Sequence, residues 1–268
     1  MYNFEYQQAK TVADAAKVLA GKPEAKLMAG GMTLIPTLKQ RLAKPTDLID
    51  LGKIPDLKGI KKDGNAIVVG AMTRHFDVAS SADVKSALPA LADLAAHIGD
   101  PAVRHRGTCG GSIANNDPAA DYPAAVLALN ATVITNKRRI AADDFFKGMF
   151  ETALAPDEII TAVSFPVPEK AAYMKFPNPA SRYAIVGVFV AKTGNTVRVG
   201  VTGAGAVAFR QKDMEAALAK SFAADAIKDV KQSQNGLNSD IHASAEYRAH
   251  LVGVMGRRAV MKANGQPV

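Results

Sequence analysis

The chain has a single cysteine, Cys109, in 268 residues. That excludes an intrachain disulfide framework, and one thiolate cannot hold an iron–sulfur cluster or a structural zinc ion. The histidines His75, His97, His105, His242 and His250 show no H-E-x-x-H pair or similar ligand spacing. Metal chemistry, if present, must sit on a partner. No apolar run reaches membrane-spanning length, and Met1-Tyr2-Asn3-Phe4-Glu5 lacks the basic and apolar regions of a secretory leader. A cytoplasmic protein without an integral membrane segment is therefore expected. Internal repeats and low-complexity tracts are also missing.

What is present describes an ordinary globular protein: 48% hydrophobic residues, with room for one large domain or two to three small ones. The net charge of +8 raises the question of nucleic acid. However, Lys58/Lys61/Lys62 and Lys137/Arg138/Arg139 read as separate solvated turns, and no recognition helix or aromatic stacking motif accompanies them. A basic surface equally suits an anionic cofactor or an acidic subunit, so no nucleic-acid partner is expected.

Along the chain, Thr11 to Gly21 predicts a short amphipathic helix capped by Thr11, followed by a strand at Lys26–Ala29. A helix over Leu34–Ala43 carries Pro36 in its first turn and has Pro45 beyond its end. Strands are expected at Asp47–Leu51 and Ala66–Ala71, around the turn Lys62-Asp63-Gly64-Asn65. Thr73 is a candidate cap for a helix reaching Val78, and helical sequence from Leu88 to Ile98 ends in a break at Gly99–Arg104. Asp121–Leu129 reads as a buried stretch, with strands at Ala131–Thr135 and Glu158–Phe165. Pro166, Pro168, Pro177 and Pro179 suggest a connection to a C-terminal unit. There, paired strands Ala184–Ala191 and Thr196–Thr202 and helices Lys212–Lys220 and Ser244–Lys262 complete an α+β layout.

Three glycine clusters compete as phosphate sites. Gly203-Ala204-Gly205-Ala206-Val207-Ala208 fits G-x-G-x-x-A, but Phe209-Arg210-Gln211-Lys212 opens no convincing apolar helix and the second strand of a βαβ unit is missing. It reads as a loop leaving a strand. Ala29-Gly30-Gly31-Met32-Thr33-Leu34 lies between a strand and a helix, an anion-binding layout. The other double glycine, Thr108-Cys109-Gly110-Gly111-Ser112, is followed closely by Asn115, Asn116, Asp117 and Asp121. Such polar density is costly to bury unpaired and favours a hydrogen-bonded ligand. Glycine pairs let bare N–H groups approach anionic oxygens, so the two segments suggest one phosphate-rich ligand held from two sides.

With these motifs the chain resembles the FAD-binding medium subunit of the molybdenum hydroxylases, the group that includes xanthine dehydrogenase and aerobic carbon monoxide dehydrogenase. Similarity is greatest to the carbon monoxide dehydrogenase type. It rests on Ala29–Pro36 with Lys39–Leu42, on Ile98–Ser112, on Ala114–Asp121, and on Asp157–Ile160, Arg182–Val186 and Ser244–Arg248. The resemblance implies a two-subdomain FAD-binding fold of the PCMH/vanillyl-alcohol-oxidase type, residues 1–55 and 56–168, followed by a C-terminal α/β domain of the carbon monoxide dehydrogenase flavoprotein type, residues 169–268.

It further implies that FAD pyrophosphate is held by Ala29, Gly30, Gly31, Met32, Thr33 and Leu34 on one side and Thr108, Gly110, Gly111 and Ser112 on the other. Asn115 and Asp117 lie in the same polar run, Asp121 matches an acidic contact to a ribose hydroxyl, and Ile160 (or Ile159) and Tyr183 match neighbours of the flavin ring. The expected partners are a large molybdenum-cofactor subunit and a small subunit with [2Fe-2S] clusters, in a dimer of heterotrimers, in the cytoplasm or at the inner face of the membrane. Electrons would pass from the clusters through FAD to an external acceptor, with no catalytic side chain on this chain.

There are departures from the family pattern. Cys109 and Met32 replace an aliphatic and an often polar residue, and the lysine of the xanthine dehydrogenase branch is missing near Ile185. A stand-alone FAD-dependent reductase of the same fold, or a non-enzymatic nucleotide-binding or assembly protein, are the other readings. Substrate and acceptor are not encoded in these residues.

Overall fold

A computed structural model describes residues 1–268. The N-terminal layer is a parallel sheet in the order β1-β3-β2, built from β1 (Glu5–Gln8), β2 (Lys26–Met28) and β3 (Asp47–Asp50). Parallel neighbours need crossovers. These are α1 (Val12–Gly21), whose cap Thr11 accepts from Asp14 N at 3.0 Å, and α2 (Leu34–Lys39). The latter stops short of the expected Ala43 because Arg41 takes a left-handed φ of 61°.

A five-stranded antiparallel sheet follows, in the order β4-β5-β10-β6-β7: β4 (Ile60–Asp63), β5 (Ala66–Gly70), β6 (Thr132–Thr135), β7 (Arg139–Ala141) and β10 (Ile160–Pro166). A small hairpin, β8 (Phe146–Gly148) and β9 (Glu151–Thr152), stands apart from it. Between β5 and β6 the chain is helical: α3 (His75–Ser80), α4 (Ala82–Ala87), α5 (Pro89–Ala96), α6 (Pro101–Arg104), α7 (Cys109–Asn115) and α8 (Tyr122–Ala128), with α9 (Ala142–Phe145) after β7. Thr73 does not cap α3. Its hydroxyl is tied to Gly59, accepting from the amide at 3.0 Å and donating to the carbonyl at 2.9 Å, while Arg74 takes the cap position.

The C-terminal sheet, β11-β12-β13-β14, is antiparallel: β11 (Lys170–Pro177), β12 (Ala184–Thr193), β13 (Thr196–Thr202) and β14 (Phe209–Arg210). The helices α10 (Lys212–Lys220) and α11 (Ala245–Ala263) pack on it. Residues Ala184 to Ala191 of β12 are all buried because α11 contacts the strand as well as α8 from the preceding unit. The proline-rich span read as a connection contains β11. Pro166 and Pro177 end β10 and β11, positions where a missing N–H costs the ladder little. The G-x-G-x-x-A cluster opens no helix. Gly203, at φ 81°, turns the chain out of β13 with its N–H bonded to Pro118 O at 2.8 Å.

Candidate cofactor site

The N-terminal sheet, α7, the loop before β10 and the start of the C-terminal unit enclose a cleft of about 660 Å³, within the range of small-molecule and cofactor sites. Ala29, Gly30, Gly31, Met32, Thr33, Leu34, Thr108, Gly110, Gly111, Ser112, Asn115, Asp117, Asp121, Ile160 and Tyr183 all line it. So does Ile159. The structure thus gathers every expected cofactor residue around one space.

The two glycine segments touch, and the contacts explain their composition. A methyl on Gly30 would fall on the carbonyl oxygen of Arg106, within 2.9 Å of Gly107 Cα. A methyl on Gly110 would lie 2.5 Å from Ala71 Cβ, and one on Gly111 would lie 3.2 Å from Ala29 Cβ. No side chain fits between them.

Their amides differ in a way the sequence conceals. The second segment is the first turn of a helix, not a loop, and its donors are used internally. Cys109 N bonds to Thr73 O at 3.0 Å, Gly110 N to Ala71 O at 2.9 Å and Ser112 N to Thr108 O at 3.0 Å, while Gly111 N bonds to Thr108 Oγ1 at 3.2 Å. The expectation of bare N–H groups at Gly110 and Gly111 is therefore corrected: these glycines supply closeness, and the Ser112 hydroxyl remains as a donor. In the first segment, Gly31 takes φ 75°, and no main-chain acceptor takes the amides of Gly30 to Leu34. That loop lines the cleft and is where N–H groups are left unpaired.

Loss of the Thr108 hydroxyl removes the α7 cap. Thr108→Ala should cost about 1 kcal/mol of stability, roughly 2–4 °C in Tm by thermal unfolding, because one amide at the helix start loses its acceptor.

One wall is built by Glu158. Its carboxylate accepts from Arg138 Nε and Nη2, both at 3.0 Å, from the Thr135 hydroxyl at 2.7 Å and from Ala155 N at 2.9 Å. The Arg138 guanidinium leads these effects and holds its pKa down to about 2. Asn136 Oδ1 accepts from Ile159 N at 2.8 Å. Together they pin Ile159 and Ile160 against the cleft.

The floor carries Asp121, whose Oδ1 accepts from the Tyr173 hydroxyl at 2.5 Å and pairs with Lys175 Nζ at 2.9 Å. Burial pushes its pKa up, opposed by Lys175 and Tyr173. Burial likewise raises Asp117, which accepts from Ala119 N at 2.9 Å. Tyr183 is 42% exposed, and partial burial raises its phenol pKa. The Asn178–Tyr183 turn presents it: Asn178 Oδ1 accepts from Ala180 N and Ser181 N, and Arg182 takes φ 62°.

Several cleft residues are given no role by the motifs, His75, Phe150, Glu158 and Arg182 among them. His75 is buried, its pKa lowered to about 4 by burial with help from Arg104, and its Nδ1 has no partner. Phe150 stands exposed at the rim with φ 57°, a strained value for a bulky residue. Glu158 and Arg182 fall inside the runs Asp157–Ile160 and Arg182–Val186 that carry the resemblance, but no role is assigned to either there. Cys109 is buried and its thiol pKa is pushed well up by burial, which fits a packing role.

A family described as the FAD binding domain in molybdopterin dehydrogenase matches residues 2–168. The chain belongs to that family. The CO dehydrogenase flavoprotein C-terminal domain matches residues 171–263. The chain is 35% identical to the carbon monoxide dehydrogenase medium chain of Hydrogenophaga pseudoflava, covering 96% of both chains. It is also 35% identical to the nicotine 6-hydroxylase medium subunit of Paenarthrobacter nicotinovorans, covering 97% of both. A solved carbon monoxide dehydrogenase structure from Hydrogenophaga pseudoflava superposes with a TM-score of 0.87 at 34% identity over 99% of both chains. This member of the FAD-binding family is thus a flavoprotein subunit of an oxidoreductase complex, with the two-part FAD-binding fold and flavoprotein C-terminal domain. No helix is long and apolar enough to cross a membrane.

Proposed function

We propose that this chain holds FAD in the cleft between its glycine segments, takes electrons from [2Fe-2S] clusters of a small partner subunit and passes them to an external acceptor. A large molybdenum-cofactor subunit oxidises the substrate, and the assembly is a dimer of heterotrimers in the cytoplasm, with the inner membrane face as a further station. The observation that carries this reading is the convergence of Ala29–Leu34, Thr108–Ser112, Asp121, Ile160 and Tyr183 on one cleft with a free row of amides at Gly30–Leu34.

The residues fit the group. The free amides and the hydroxyls of Thr33 and Ser112 match pyrophosphate oxygens, and the Asp121 carboxylate suits a ribose hydroxyl. Apolar Ile159 and Ile160 keep water from a ring placed near Tyr183. Bound FAD supplies carriage of two electrons that can enter one at a time. The protein's part is to bind, orient and dry the site. Residues 1–55 and 56–168 grip the cofactor, and 169–268 close the site. The whole-chain match to named medium chains favours this over a stand-alone reductase or a non-enzymatic nucleotide binder.

Purification of the chain with its native partners tests this. Flavin absorbance, FAD released on denaturation in a 1:1 ratio to this chain, and a large and a cysteine-rich small protein travelling with it are expected. A colourless protein that releases no flavin, or a chain fully active alone, overturns the reading.

A further inference from the structure

Strand β11 belongs to the C-terminal domain and does not line the cleft, yet two of its side chains hold Asp121 on the cleft floor from behind. Tyr173 and Lys175 are two positions apart on β11, so they share a face. Tyr173 donates to Asp121 Oδ1 at 2.5 Å, while Lys175 Nζ lies 2.9 Å from that oxygen, 3.1 Å from Oδ2 and 3.0 Å from His97 O. The side chains of Lys175 and Asp121 are only 6% and 4% exposed.

A buried ammonium–carboxylate pair is an expensive way to join two domains, since desolvation offsets much of the attraction and apolar side chains would pack the same space. Docking has another contact at this interface: Lys262 of α11 pairs with Asp93 of α5 at 2.8 Å, both about a third exposed. The Lys175 pair therefore calls for a reason beyond docking. That reason is where Asp121 sits. It lines the cleft, with acceptor capacity left on Oδ2 for a ribose hydroxyl, and without a cation beside it a bare carboxylate would stand in a cleft meant for an anionic cofactor.

We propose that Lys175, seconded by Tyr173, is a positioning residue for the cofactor. It neutralises and aims the Asp121 carboxylate, so that the C-terminal domain, which already lends Tyr183 to the lining, also sets the charge of the floor. This rests on the FAD reading above.

Titration of the full-length apoprotein with FAD, followed by flavin fluorescence, together with the flavin midpoint potential and the melting temperature of the apoprotein, tests it. Lys175→Met should weaken FAD binding about 100-fold, in line with leaving a buried charge unpaired, and shift the potential negative. Lys175→Arg should weaken binding less than Lys175→Met, because the charge that neutralises Asp121 is retained. Lys262→Met should lower the melting temperature while leaving FAD affinity and potential as they are. The double variant Asp121→Asn with Lys175→Met should recover the potential, since no bare charge remains. If Lys175→Met does not fold, Tyr173→Phe decides, with an expected loss of about tenfold from one hydrogen bond to a charged acceptor. Variants of Lys175 or Tyr173 that bind FAD like the parent, and change only the melting temperature as Lys262→Met does, overturn the inference. A parent protein that takes up no FAD instead overturns the proposed function itself.

Discussion

Gly30→Ala is expected to abolish retention of FAD, raising its dissociation constant at least ~100-fold, while leaving the rest of the chain folded. The added methyl would land on the Arg106 carbonyl oxygen, 2.7 Å from its carbon and 2.9 Å from Gly107 Cα. All three obstacles are main chain, which cannot swing aside as a long side chain would. Relief must come from moving the loop that carries the free amides of Gly30–Leu34 away from α7, and overpacking of this kind costs about 1–3 kcal/mol. That opens the clamp on the side that supplies its donors. Gly21→Ala is the matched control: nothing lies within 4 Å of its added methyl, and it sits at the last position of α1. Its expected effect is neutral to slightly stabilising, by no more than about 1 kcal/mol. Measuring FAD content after gel filtration, alongside circular dichroism, separates the outcomes. Retention of FAD by the Gly30 variant at parental affinity would refute the clamp.

How far the sequence shows this site depends on the range of the interactions involved. The hairpin of β12 and β13 is legible because local signals agree: a turn with Gly194 at φ 55° between apolar runs; the Gln211 cap that starts the helix Lys212–Lys220 shows only in the structure. The glycine segments, which line the cleft, are legible for the same reason. Thr108-Cys109-Gly110-Gly111 misleads about its form, since consecutive glycines disfavour helix. Packing of Gly110 against Ala71 and of Gly111 near Ala29 overrides that preference. Prolines at both ends of Pro166–Pro177 hide β11, because they sit where the ladder needs no donor. Asp121 is visible as a polar residue in a motif, but its partners Tyr173 and Lys175 lie in another domain and leave no local trace. The roles of Glu158 and His75 escape for the same reason: their character comes from distant chain folded around them.

His75 carries the second large expectation: acidification from pH 7 to 4 should remove about 3 kcal/mol of stability through this residue alone. Burial lowers its folded pKa to about 4, against about 6.5 for an unfolded histidine. Between these values the unfolded chain binds more protons than the folded one, so stability rises with pH across the window. The contribution is fully present above pH ~6.5 and falls by about 1.36 kcal/mol per pH unit as the pH drops towards 4. Glu158, held down to about 2 by Arg138, adds its own loss only below about pH 4.5, the ordinary range of a glutamate. Asp117 and Asp121 act in the opposite sense, because burial raises them and the folded state then holds the extra proton. The diagnostic is therefore the difference between the parent and His75→Gln in urea unfolding at pH 7.0, 5.5 and 4.5, where Gln cannot titrate. The variant should lose the acid-side slope that the parent shows between pH 6.5 and 4.5. Equal slopes in the two proteins would mean that His75 takes up its proton without opening the fold, and that its ring, one of the residues lining the cleft, is accessible to water in the native state.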